Sequence, residues 1–121
     1  MRALKDRGPL LPDVRLFHNP DKAVRYMLGR DMGDCGELDD NKAYTFSRGS
    51  DVVVLMCYRG DLMEEYALLV HEAVHVVRTY FSETLMEEHA GEEMYAYATQ
   101  KVAYQLMLAH DKWLRKHRDG R

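Results

Sequence analysis

From Leu62 to Phe81 the chain carries neither glycine nor proline. Asp61 stands ahead of this run as an N-cap, and Glu64 falls at N3, a capping-box-like start. Tyr66, Leu69, Val70, Ala73, Val74 and Val77 recur at helical spacing and form a broad apolar stripe. The segment is therefore predicted to be a long, mostly buried helix. Within it lies His71-Glu72-Ala73-Val74-His75. Residues four apart on a helix share a face, about 6 Å apart along the axis. Two imidazoles at that spacing can converge on one cation, with Glu72 beside them. Polar groups without compensation are costly inside a protein, and a bound metal compensates them. The plainer alternative is a pair of hydrogen-bonded or surface histidines and a solvated glutamate.

The pattern H-E-x-x-H is the zinc motif of metallopeptidases, with two histidine ligands and a glutamate placed to act on water. A catalytic zinc takes three protein ligands and keeps one position open. The third should come from a second helix packed on the first. Gly91-Glu92-Glu93-Met94-Tyr95-Ala96-Tyr97-Ala98-Thr99-Gln100 opens such a run, which continues to about His117. Glu93, Ala96, Tyr97 and Gln100 fall on one face of it, and Ala96 would let the helices approach closely. Glu93 is the preferred third ligand for sharing that face. Glu92, turned about 100° round the helix, is the neighbour to weigh against it. His89 would serve if the helix began earlier. Phe81 stands where a metzincin needs histidine. Cys35 is an upstream thiolate candidate, with a free loop thiol as its plainer reading.

These residues resemble the gluzincins, zincin metallopeptidases whose third ligand is a glutamate from a following helix. The chain looks closest to small zincin-like domains of the ImmA/IrrE kind and to short phage-encoded metallopeptidase-like proteins. There the third ligand opens an E-x-x-A stretch, matched here by Glu93-Met94-Tyr95-Ala96. The resemblance covers roughly residues 61–105. It implies that His71, His75 and Glu93 hold Zn2+ and that Glu72 is the catalytic base. It also implies a minimal zincin-like α+β domain, with a small sheet on the H-E-x-x-H helix and a C-terminal helix behind it.

The implied activity is that of a zinc-dependent peptidase. The metal acidifies its water, Glu72 takes the proton, and the metal helps hold the oxyanion. Zincins often add a Tyr, His or Arg for the oxyanion. Tyr97, one turn beyond Glu93, is the candidate, against the alternative of a core tyrosine packed between helices. Tyr80, Tyr95 and Tyr104 read as packing or surface aromatics. Arg78 could pair with a carboxylate near the site.

The N-terminal half reads as α+β. Residues 1–12 form an extended lead-in and Val14 to Phe17 a short strand. Asn19-Pro20 caps a helix that ends near Gly29. Asp31 to Asn41 is an acidic loop. Ala43 to Ser47 and Val52 to Tyr58 are strands joined by a turn at Arg48-Gly49-Ser50-Asp51. Val52 to Cys57 is apolar almost without break, so this strand should be central or covered on both faces. In zincins an edge strand above the metal binds the substrate backbone, and Tyr44 to Phe46 is the candidate edge.

At 121 residues and 46% hydrophobic, the chain is expected to form a single domain around one core. A net charge of −3 favours neither nucleic acid nor an anionic membrane. The basic stretch Lys112 to Arg118 suits a solvated helix end. Two cysteines far apart, no signal-like apolar run and no span of transmembrane length point to a cytoplasmic protein. The expected partner is a peptide or protein substrate, with oligomeric state left open. Two other classes stand beside the peptidase: a zincin-fold binding protein of phage or mobile-element type with a structural or vestigial metal, and an α+β protein in which the motif is accidental.

Overall fold

The computed structural model describes residues 11–30, 32, 38, 42–48, 51–83 and 91–119. The segment before Leu11, most of the acidic loop with Cys35, and the stretch containing His89 lie outside the described residues. Along the chain run β1 (Asp13–Phe17), α1 (Pro20–Gly29), β2 (Ala43–Arg48), β3 (Asp51–Met56), α2 (Leu62–Glu83) and α3 (Glu92–Asp119). This is an α+β fold.

Helix starts fall where the sequence punctuates them. Asn19 Oδ1 accepts from the backbone N–H of Asp21 at 2.8 Å and Lys22 at 3.2 Å, with Pro20 in the first turn. Asp61 Oδ1 accepts from Glu64 N–H at 3.2 Å. The carbonyl of Gly91 accepts from Tyr95 N–H at 3.2 Å and opens α3. Gly60, between β3 and α2, has φ of 83°, a left-handed conformation that glycine adopts without strain.

The sheet order is β1-β3-β2, with β1 parallel and β2 antiparallel to β3. The β2–β3 pairing closes at Arg48 opposite Asp51, where the hairpin turn is predicted. Strand β3 ends at Met56, short of Tyr58, and it is central and covered on both faces. Val52, Val54 and Met56 face α2 and α3, while Val53 and Leu55 face Ala23 and Met27 of α1. A pleat of period two sends its uninterrupted apolar run into two cores at once. Strand β2 is an edge, as Tyr44 to Phe46 was expected to be.

Helices α2 and α3 run antiparallel. Glu65 meets His110, Tyr66 meets Asp111, and Phe81 meets Tyr95. The buried face of α2 is Leu69, Ala73, Val76, Val77 and Phe81. Val70 and Val74, expected within the buried stripe, are 40% and 41% exposed. Sheet and α3 cover only part of the helix circumference, and these two valines fall on the uncovered side. On α3 the buried residues are Ala98, Val102, Ala103, Leu106 and His110. Glu93, Ala96, Tyr97 and Gln100 do share a face, but it is the exposed one. Close approach of the helices rests on Ala98 and Ala103 instead of Ala96. Among the described residues, no helix is long and apolar enough to cross a membrane.

Candidate metal centre

Three potential ligands converge on α2. One ligand atom from each of His71, Glu72 and His75 can be chosen so that all lie within 4.8 Å of one another. The Nε2 atoms of His71 and His75 stand 3.2 Å apart, and the rings meet edge to face at 75°. Both histidines are exposed, whereas Glu72 is only 4% exposed. Its neighbour on the helix, Ala73, is in the core, so Glu72 leans under the sheet edge while the imidazoles reach past it.

Strand β2 forms the opposite wall. Its alternation turns Tyr44 and Phe46 toward α1 and leaves Ala43, Thr45 and Ser47 on the α2 side. Small side chains there leave an open cleft of about 320 Å3, which Tyr44, His71, Glu72, His75 and Thr79 also line. Thr45 Oγ1 donates to Glu72 Oε1 at 2.6 Å, a hydrogen bond absent from the sequence reading. Its only signal was the alternation of β2, which places Thr45 and Tyr44 on opposite faces.

The donor chemistry suits zinc, since imidazole nitrogen and carboxylate oxygen are among its ordinary ligands. The spacing fits as well. Two Zn–N bonds of about 2.0–2.1 Å at a tetrahedral angle set their nitrogens about 3.3–3.4 Å apart. The His71–His75 separation of 3.2 Å is close to that bite.

Glu93 and Tyr97 are placed differently. Tyr95 packs on Phe81, so Glu93 is level with the C-terminal end of α2. That is roughly eight residues past His75, or about 12 Å along the axis. Glu93 is exposed and lies outside the group formed by His71, Glu72 and His75. The turns of α3 level with the two histidines, from Met94 to Ala109, contain no Asp, Glu, His or Cys. Glu92 is likewise exposed in the first turn. Tyr97 is 62% exposed and is not a core tyrosine. Arg78 is exposed.

Among the described residues, a second polar group with buried members lies elsewhere in the fold. Glu65, His110 and His18 join in a hydrogen-bonded row beside Trp113. Glu65 and His110 sit in the buried registers of α2 and α3, four residues from Leu69 and Leu106. Polar residues in register with core positions were the available signal.

No protein-family model, curated protein or solved structure matches this chain.

Proposed function

We propose that this protein binds zinc through His71 and His75 and hydrolyses a peptide bond with Glu72 as general base. The observation that carries this reading is the 3.2 Å separation of the two Nε2 atoms, beside a carboxylate held within 4.8 Å. When bound, zinc supplies a Lewis acid that polarises a carbonyl and acidifies water. Thr45 occupies one oxygen of Glu72 and fixes the plane of the carboxylate. Oε2 is then the oxygen for accepting a proton and passing it to the leaving amine. An extended peptide laid along edge strand β2 would bring its backbone over the cleft, in the manner of strand addition. The substrate class is accordingly an extended segment of a peptide or protein. The gluzincin resemblance adds Glu93 as third ligand and Tyr97 as oxyanion donor; because Glu93 is level with the C-terminal end of α2 and Tyr97 is exposed, the proposal rests on His71, Glu72 and His75 alone.

That same register favours a second reading. A zincin-fold binding protein could hold zinc at two histidines and perform no turnover. Glu72→Gln separates the two: it removes the proton acceptor while leaving both imidazoles in place. Products lost in Glu72→Gln with zinc retained support the peptidase, and identical products support the binding protein.

A further inference from the structure

Away from the α2 histidines, four parts of the chain meet in one row of hydrogen bonds. Glu65, in the first turn of α2, accepts at Oε2 from the backbone N–H groups of Arg59 at 2.8 Å and Gly60 at 2.9 Å. Its Oε1 lies 2.8 Å from His110 Nε2 on α3. His110 Nδ1 lies 2.9 Å from Nε2 of His18, at the corner between β1 and α1. The His18 ring stacks on Trp113 at 4.0 Å, and Trp113 stacks on His117 at 4.1 Å. Glu65 and His110 are fully buried.

Hydrogen-bonding capacity fixes where protons sit. An ionised carboxylate only accepts, so His110 Nε2 carries a hydrogen and donates it to Glu65. One hydrogen remains to be placed between His110 Nδ1 and His18 Nε2. With both rings neutral it belongs to His18. One added proton charges a single imidazole, balances the buried carboxylate and keeps every bond of the row. A second added proton sets N–H against N–H across 2.9 Å, leaving two donors without an acceptor, one of them on the fully buried His110.

We propose that this row is an acid-operated clasp, which admits one proton and parts between His18 and His110 when a second arrives. Parting frees the β1–α1 corner from the C-terminal half of α3, while the α2–sheet core has no member in the row beyond Glu65.

The surroundings resist a proton on His18. Burial, then the charges of His110 and His117, push His18 from 6.5 down to about 3, against a weaker pull from Glu65. Burial alone would raise the Glu65 carboxyl. The hydrogen bonds from His110, Arg59 and Gly60 outweigh it and hold Glu65 below the usual range. Tyr66 presents its edge to His110 at 6.2 Å and donates its hydroxyl to Asp111. Between the ordinary value of 6.5 and about 3, the unfolded chain holds one more proton at His18 than the folded one. Stability therefore falls as pH falls through this window, and His18 alone raises the unfolding constant by up to about tenfold per pH unit.

Trp113 is the only tryptophan, so its fluorescence reports on the clasp. The experiment follows Trp113 emission, helical circular dichroism and denaturant unfolding against pH, with a chelator present throughout to remove metal effects. His18→Phe keeps a ring on Trp113 and removes the nitrogens. The wild type should show an acid change in Trp113 emission before helix is lost. The unfolding constant of His18→Phe should respond less steeply to acid, by up to about tenfold per pH unit. Equal steepness in the two proteins, or simultaneous loss of helix and Trp113 signal, would overturn the clasp. If His18→Phe does not fold, imidazole nitrogen NMR on the wild type decides. His18 should stay a neutral ring through mild acid, and a His18 that titrates near 6.5 refutes the proposal.

Discussion

Thr45 Oγ1 donates to Glu72 Oε1 across 2.6 Å, joining the edge strand to the helix that carries both histidines. Glu72 is 4% exposed, so its charge is costly unless bonded. The bond also restricts the carboxylate to one orientation. A residue proposed to move a proton is thus held by the strand proposed to receive the substrate. Thr45→Val should remove the donor at nearly constant volume and destabilise the fold by about 1–3 kcal/mol, the usual consequence of stranding a buried acceptor. Thr45→Ser should recover most of that. Denaturant unfolding of the three proteins checks it, and a Thr45→Val protein as stable as wild type would show that Glu72 gains nothing from the bond.

Zinc binding follows from the two imidazoles. Purified protein should take up about one zinc, and the His71→Ala/His75→Ala double variant should take up almost none. Because Glu93 is level with the end of α2, Glu93→Ala and Glu92→Ala should hold zinc equally well. A selective loss in Glu93→Ala would place that carboxylate in the ligand set, as the E-x-x-A pattern implies. Metal analysis after dialysis distinguishes these outcomes.

A ligand bound only by the folded state stabilises it by mass action, by about 2.7 kcal/mol at a hundredfold excess over Kd. A chelator should lower the Tm of the wild type and leave the double variant unmoved. Acid competes with the metal for both imidazoles, so the stabilisation by zinc should shrink as pH falls. A Tm equally insensitive to chelator in both proteins would count against a metal.

The orientation of α2 has its own test. Leu69 is fully buried, whereas its neighbour Val70 is 40% exposed. Leu69→Ala should cost about 2–5 kcal/mol through lost burial and a residual cavity. Val70→Ala, away from the core, should stay within about 0.5 kcal/mol. Comparable losses at both positions would mean that something covers the Val70 side of the helix.

Element boundaries were readable because local chemistry sets them. Asn19-Pro20, Asp61 and Gly91 begin helices for reasons contained in a few neighbouring residues. The unbroken apolar run of β3 announced a strand covered on both faces. The convergence of His71 and His75 was equally local, since helical geometry brings i and i+4 together. The rotation of α3 was not readable. Met94, Tyr95, Ala96, Tyr97 and Ala98 are apolar in succession, so the sequence offers several faces of similar hydrophobicity. Contacts distant in sequence choose among them: Phe81 on Tyr95 and Glu65 on His110. The pairing of His18 with His110 spans 92 positions and leaves no periodic trace.

The decisive prediction concerns turnover. Glu72→Gln keeps the shape of the side chain and can still accept from Thr45, but it cannot take up a proton. Loss of a general base typically slows a reaction about 10²–10⁴-fold. A generic protein substrate is a poor probe, because a short edge strand beside a cleft of about 320 Å3 accepts few extended segments. Wild type and Glu72→Gln should therefore be expressed at equal levels, with newly formed protein termini mapped by mass spectrometry. Zinc content measured on the same two proteins removes metal loss as an explanation. Termini present with the wild type and missing with zinc-loaded Glu72→Gln are the expected result. Identical termini with equal zinc would assign His71 and His75 to a metal site without hydrolysis, leaving Glu72 to tie α2 to β2 through Thr45.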